Sequence, residues 1–222
     1  MTSVLSIYGL GLGLCLLAGV ALAGLLDVRG RWVSVATIPL GLCVLVALLY
    51  PLGALMPGDR AGPVTLAIIA AALAVVVGIR LWRGAAGGRL ASLAGALRPT
   101  WGEAAVLVAG GIAGVLILIP TINEGFATTL AVTNHDGWAY AILVDWIKDH
   151  PFPRDVAPSL AEPRTFTPWN SGHFDFGVGF EHVAAMLANL LGRQGFEVVN
   201  PAAAVGLAAA VGGWAALTNC VV

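Results

Sequence analysis

Apolar residues run through this chain in long blocks rather than in the narrow stripe of a water-facing helix. Uncharged stretches cover 1–26, 32–58, 61–79, 104–123 and 198–222. Each approaches or exceeds the roughly 20 residues that a helix needs to cross about 30 Å of hydrocarbon. Peptide groups inside lipid must bond within their own segment, and these runs lack the alternation of barrel strands, so each is predicted to be a spanning helix. A sixth candidate, 176–192, is shorter and carries Glu181 and His182 near its start. The expected fold is all-α: a polytopic transmembrane helical bundle of about six spans, four within 1–121 and two within 177–222. Between them lies a long loop, 122–176.

Inside that loop the pattern changes. Trp138, Ile142, Leu143, Trp146 and Ile147 recur at three-and-four spacing while Asp145, Lys148 and Asp149 fall on the other side. This predicts an amphipathic helix over 138–149, lying along the membrane surface with its Trp and Tyr rings at headgroup level. Pro151 and Pro153 end it, since proline disfavours helix in the residue before it. A second, weaker pattern places Leu90, Leu93 and Leu97 on one side of an Arg-rich connector over 80–103, which reads as an interfacial segment touching anionic lipid. The triplet Gly-Leu-Cys occurs at 13–15 and 41–43, too short to be a repeat.

Composition agrees with lipid as the solvent: 59% of residues are hydrophobic and 10% charged, against about 25% charged in a soluble domain. A net charge of −1 leaves no basic surface for nucleic acid, so that class of partner is excluded. Cys15, Cys43 and Cys220 lie in predicted spans without metal-ligand spacing and read as packing residues. Ala21-Leu22-Ala23 resembles a signal-peptidase site, but no Lys or Arg precedes Asp27, so the first run is read as a retained span. Ten Arg against one Lys, with abundant Ala, Gly and Val, points to a GC-rich bacterial genome and hence to a bacterial inner membrane.

Loop charges set an orientation. Arg29, Arg31, Arg80, Arg83, Arg89, Arg98 and Arg193 go to the cytoplasmic side, and Arg60, Lys148, Arg154 and Arg164 to the outer one, with the N-terminus outside. The 122–176 loop is then extracytoplasmic, and it holds seven of the 12 acids. Loops this long are usually functional or carry structure of their own.

Asp136 is the pivotal residue of the loop, within Asn134-His135-Asp136-Gly137 just before Trp138. One reading makes Asn134 or Asp136 the cap of the following helix, accepting its free amide hydrogens. The other makes Asp136 a catalytic carboxylate at the membrane surface, acting as general base towards a hydroxyl or as ligand to a divalent cation. Both readings can hold together. Downstream, Arg164, Trp169, His173 and Asp175 combine aromatic faces with polar tips, the mixture that stacks on sugar rings and bonds their hydroxyls. A charged residue within a span costs about 2.5–3.5 kcal/mol on insertion scales and tends to be kept for function. Glu181 and His182 would either snorkel to the interface, from about 8 Å deep at 1.5 Å per residue, or face a cavity near Asp136 with acid/base or hard-metal character.

In layout this arrangement resembles the GT-C superfamily of membrane glycosyltransferases. There, an acidic residue in an outer loop just after a span is followed by a juxtamembrane helix and then by a proline and aromatic stretch leading into the next span. The matching features here are Asn134, His135 and Asp136 with Tyr140, the 138–149 helix, and Pro168-Trp169 through Phe180-Glu181-His182. The resemblance covers roughly 104–192. It implies a polyprenyl-phosphate-linked sugar donor, a glycan acceptor, Asp136 as the catalytic acid and Glu181 or Asp175 as a second. Asn134, His135, Tyr140, Arg164, Trp169, His173, Asp175 and His182 are then expected around the substrate. Four spans precede the acidic loop where the family commonly has one, and the family's helical core is longer, so the chain is expected to correspond to an N-terminal part. A non-catalytic membrane subunit or transporter-like protein that binds a lipid-linked glycan or a partner is the alternative. A metal-dependent lipid-phosphate hydrolase ranks last, because no HExxH-type spacing occurs.

Overall fold

The structure, a computed structural model, describes residues 2–27, 32–82, 98–125, 135–151 and 179–221. Among them are seven helices and no strands: α1 (Thr2–Leu25), α2 (Val33–Leu55), α3 (Gly58–Trp82), α4 (Trp101–Glu124), α5 (His135–Asp149), α6 (Gly179–Leu191) and α7 (Gly195–Val221). Five of them, α1 to α4 and α7, are long and apolar enough to cross a membrane. On α4, Val108, Ile112, Leu116 and Ile119 form a stripe at helical spacing whose residues are 43–59% exposed. Water would not suit such a face, and lipid does. Trp82 ends α3 and Trp101 begins α4, both strongly exposed, which fits rings that prefer the headgroup level. The connector helix expected around Leu90, Leu93 and Leu97 lies outside the described residues.

The helices sort into two compact units. Unit 1 comprises Met1–Gly11, Val46–Thr65 and Ile117–Ala203, and unit 2 comprises Leu12–Leu45, Leu66–Leu116 and Ala204–Val222. Each of the five long helices contributes one end to each unit, whereas α5 and α6 belong to unit 1 alone.

In unit 2, α1 and α2 approach backbone to backbone. A methyl group on Gly19 would overlap the carbonyl of Thr37, and one on Gly41 would overlap that of Cys15. Cys15-x-x-x-Gly19 and Thr37-x-x-x-Gly41 thus make a reciprocal small-residue seam, each glycine leaving room for the other helix's backbone. The two Gly-Leu-Cys triplets do meet, at Cys15 and Gly41, through this packing.

Thr100-x-x-Glu103 opens α4 as a capping box. Thr100 N–H donates to Glu103 Oε2 at 2.6 Å and Glu103 N–H donates to Thr100 Oγ1 at 3.4 Å. The carboxylate's other oxygen, Oε1, accepts the Trp32 N–H at 2.6 Å. Trp32 sits just before α2 with φ of 71°, an uncommon backbone for a bulky residue. One buried carboxylate therefore finishes two helix starts. Glu103→Ala is expected to cost about 2 kcal/mol and Glu103→Gln, which keeps one acceptor oxygen, roughly half of that. Thermal unfolding in detergent micelles checks this, and an unchanged midpoint for the alanine variant would mean that solvent serves the two amides equally well.

Unit 1 alters three expectations. First, the loop helix starts at His135, three residues earlier than the apolar periodicity suggested, so Asp136 lies within the first turn of α5 rather than ahead of it. Second, the apolar side of α5 packs on protein: Ala141, Leu143, Val144, Trp146 and Ile147 are buried, and α5 packs against α6. Third, α6 has 13 residues and is about 20 Å long at 1.5 Å per residue, short of a full crossing. Among the described residues of 177–222 one helix, α7, is of spanning length, where two were expected.

The side assigned to Arg193 changes with it. Charge counting put Lys148 and Arg193 on opposite faces of the bilayer, yet Lys148 Nζ donates to the Arg193 carbonyl at 2.8 Å. No bilayer can separate them. Near the start of α7, Asn200 Nδ2 donates to Thr121 Oγ1 near the end of α4 at 2.9 Å, so α7 starts on the side where α4 finishes. The Arg193 backbone thus lies on the same side as Lys148 and the start of α7. The charge bias that suggested the orientation is correspondingly weaker.

Candidate functional site

Helices α5, α6 and α7 enclose the site, and local sequence explains how they are held. Gly192 follows α6 with φ of 61°. Its N–H donates to the Asn189 carbonyl at 3.3 Å and the Arg193 N–H donates to the Ala188 carbonyl at 2.8 Å. That pair of bonds is a Schellman stop, which needs a left-handed residue where glycine has no Cβ penalty. Three residues later α7 has begun. Glu197 spends both oxygens at this junction: Oε2 accepts the Gln194 N–H and Oε1 bonds Arg193 Nη1, each at 3.0 Å.

α5 clamps the same turn from the side. Asp145 Oδ1 accepts the Gly195 N–H at 2.8 Å and faces Lys148 Nζ at 3.5 Å. A methyl group on Gly195 would overlap the Ala141 carbonyl. The polar side of α5, expected to face water, thus docks on the α6–α7 turn. Asp145→Ala is expected to cost about 1 kcal/mol, the usual loss for a helix N-terminal acceptor. Faster amide hydrogen exchange confined to 193–197 would register it, and uniform exchange across α7 would count against a local clamp.

Between the three helices is a cavity of about 240 Å³ lined by Tyr140 and Val144 of α5, Phe180, Glu181 and Ala184 of α6, and Val199 and Ala203 of α7. Among the described lining residues, Glu181 and the Tyr140 phenol are the ionisable groups. Glu181 is 6% exposed, and among the described residues its carboxyl Oε2 has no hydrogen-bond partner. Burial pushes that carboxyl above the ordinary range, because the neutral acid loses less on leaving water.

His182 does not share this cavity. Its ring meets Tyr50 of α2 edge-on, with centroids 5.8 Å apart at 74°, and a methyl group on Gly53 would overlap it. Glu181 and His182 are buried rather than snorkelling, and α6 sends them to different neighbours. His135 and Asp136 occupy the first two positions of α5, with Asp136 one helical turn before Tyr140. Asn134, Arg164, Trp169, His173 and Asp175 lie outside the described residues. Among the described residues, no three His, Cys, Asp or Glu side chains come together as a metal site would require.

Reading the sequence for polar chemistry passed over the cavity's apolar walls and the docking roles of Asp145 and Lys148. One signal was available: Gly-Phe-Glu opens both α6, at 179–181, and α7, at 195–197. In the second copy both glutamate oxygens are engaged, one by the Gln194 N–H and one by the Arg193 guanidinium, and in the first Oε2 has no partner among the described residues. No family model, curated protein or solved structure matches the chain.

Proposed function

We propose that this protein is an integral membrane protein of the bacterial cell membrane, with its N-terminus outside, that acts as a GT-C-type glycosyltransferase. It moves a sugar from a polyprenyl-phosphate donor to an extracytoplasmic acceptor. What supports the reading is the order of elements around Asp136: a helix of spanning length, then a short helix opening on His135 and Asp136. The Asp145 and Lys148 clamp fixes that short helix against α7. A carboxylate on a fixed platform loses little freedom in meeting its substrate, which is where positioning lowers a barrier.

In this mechanism Asp136 takes the proton of the acceptor hydroxyl; were a divalent cation bound there, Asp136 would be a residue to hold it and the cation would make that proton easier to remove. The oxygen attacks the anomeric carbon, and the bond from that carbon to the phosphate oxygen breaks. The polyprenyl phosphate departs with the electron pair. Arg154 and Arg164, in the same loop, are the cationic groups available to the departing phosphate. Glu181, the second acid that the resemblance implies, stands in a mostly apolar wall.

The alternative, a non-catalytic subunit that holds a lipid-linked glycan, draws on the same cavity, whose lining is mostly hydrocarbon and suits a chain better than a sugar. Incubating the protein in lipid nanodiscs with a radiolabelled polyprenyl-phosphate sugar and a glycan acceptor separates the two. Release of labelled glycan supports transfer; retention of the labelled lipid without turnover supports the subunit.

A further inference from the structure

We propose that the cavity between α5, α6 and α7 is a binding site for a neutral aliphatic alcohol, whose chain fills the apolar pocket and whose hydroxyl bonds the Glu181 carboxyl. The inference does not depend on Asp136 being catalytic. Three observations carry it. The lining residues Val144, Phe180, Ala184, Val199 and Ala203 offer a ligand hydrocarbon only. The volume, about 240 Å³, exceeds the roughly 150 Å³ of an engineered apolar cavity that takes benzene and falls short of the roughly 300 Å³ at which pockets for whole drug-sized ligands begin. It therefore takes a chain segment with one small head.

The head is defined by Glu181. A buried oxygen without a partner among the described residues is costly, and a ligand able to donate one hydrogen bond removes that cost. In α7 the same Gly-Phe-Glu opening has both carboxylate oxygens occupied, whereas Oε2 of Glu181 has no partner among the described residues. Desolvation favours the neutral acid, which accepts from a hydroxyl and donates to it in return. A carboxylate or phosphate head would bring its own charge into an apolar pocket whose described lining offers no cation, and an ammonium head would require the charge that burial opposes.

Photolabelling tests this in lipid nanodiscs with four probes that share a nine-carbon chain bearing a mid-chain diazirine and end in a hydroxyl, an ammonium, a carboxylate or a plain methyl group. Labelled residues are mapped by peptide mass spectrometry. The alcohol is expected to label Val144, Ala184 and Ala203 about tenfold above the methyl-ended probe, the effect of one buried hydrogen bond. Unlabelled alcohol of the same length is expected to compete it away. Glu181→Leu is expected to bring the alcohol down to the level of the methyl-ended probe, and Glu181→Gln to retain most of the labelling. Ala203→Phe, which fills the pocket, is expected to abolish it. Should the leucine variant fail to elute as folded protein, the glutamine and phenylalanine variants still decide. Equal labelling by the alcohol and methyl-ended probes overturns the proposal, as does unchanged labelling in Ala203→Phe or a stronger signal from the ammonium probe. Because none of these readouts involves sugar transfer, they separate from any failure of the Asp136 reading.

Discussion

Gly41→Leu is expected to separate α1 from α2 at a cost of about 3 kcal/mol or more, beyond the usual 1–3 kcal/mol of an overpacked core. The added side chain would run into the Cys15 carbonyl, and a backbone group cannot rotate aside as the far end of a lysine can. In lipid the helices themselves survive such a change, since their own hydrogen bonds remain satisfied. Far-UV circular dichroism should therefore stay constant while the midpoint of unfolding by added SDS falls. A spin-label pair placed at the ends of α1 and α2 should broaden its distance distribution. Gly9→Leu, on the same α1 but with nothing within 4 Å of its added carbon, is the matched control and is expected to change little. If the two variants unfolded alike, the effect would belong to glycine's backbone freedom and not to the seam.

Asp136→Asn is expected to slow sugar transfer by roughly 10²–10⁴-fold, the range for loss of a positioned general base. The substitution keeps size and hydrogen-bonding shape while removing the proton acceptor. At the second position of α5 an asparagine also preserves the helix start at little cost, so stability should move by well under 1 kcal/mol. Donor retention measured by lipid co-purification should be unaltered. Undiminished transfer by the asparagine variant in nanodiscs would remove Asp136 from the mechanism, and a collapse of folding alongside activity would return it to capping.

The long helices were legible because lipid imposes a simple rule: uncharged runs of some 20 residues have few other structures open to them. The predicted runs 1–26, 32–58, 61–79, 104–123 and 198–222 correspond to α1, α2, α3, α4 and α7. Residues 176–192 were harder, because a short apolar run carries no mark of whether it crosses or turns back. What decides it is a bond between Lys148 and Arg193, 45 residues apart. The same holds for the site. Glu181 stood out as a buried acid, but only the packing of three helices reveals that its surroundings are hydrocarbon and that His182 points to Tyr50 instead. Asp145 and Lys148 read as a wet face because a polar stripe looks the same whether it meets water or the exposed amides and carbonyls of another helix end.

The double use of Glu103 constrains the order in which the protein can be assembled. α1 and α2 can pair as soon as both have left the ribosome, but the Trp32 amide waits for a carboxylate that arrives 71 residues later. Until the fourth long helix enters the bilayer, the first hairpin is a provisional structure with one unmet donor at its bend. A nascent chain stalled before Glu103 should accordingly hold that bend loosely. Release of the stall would tighten it in a single late step.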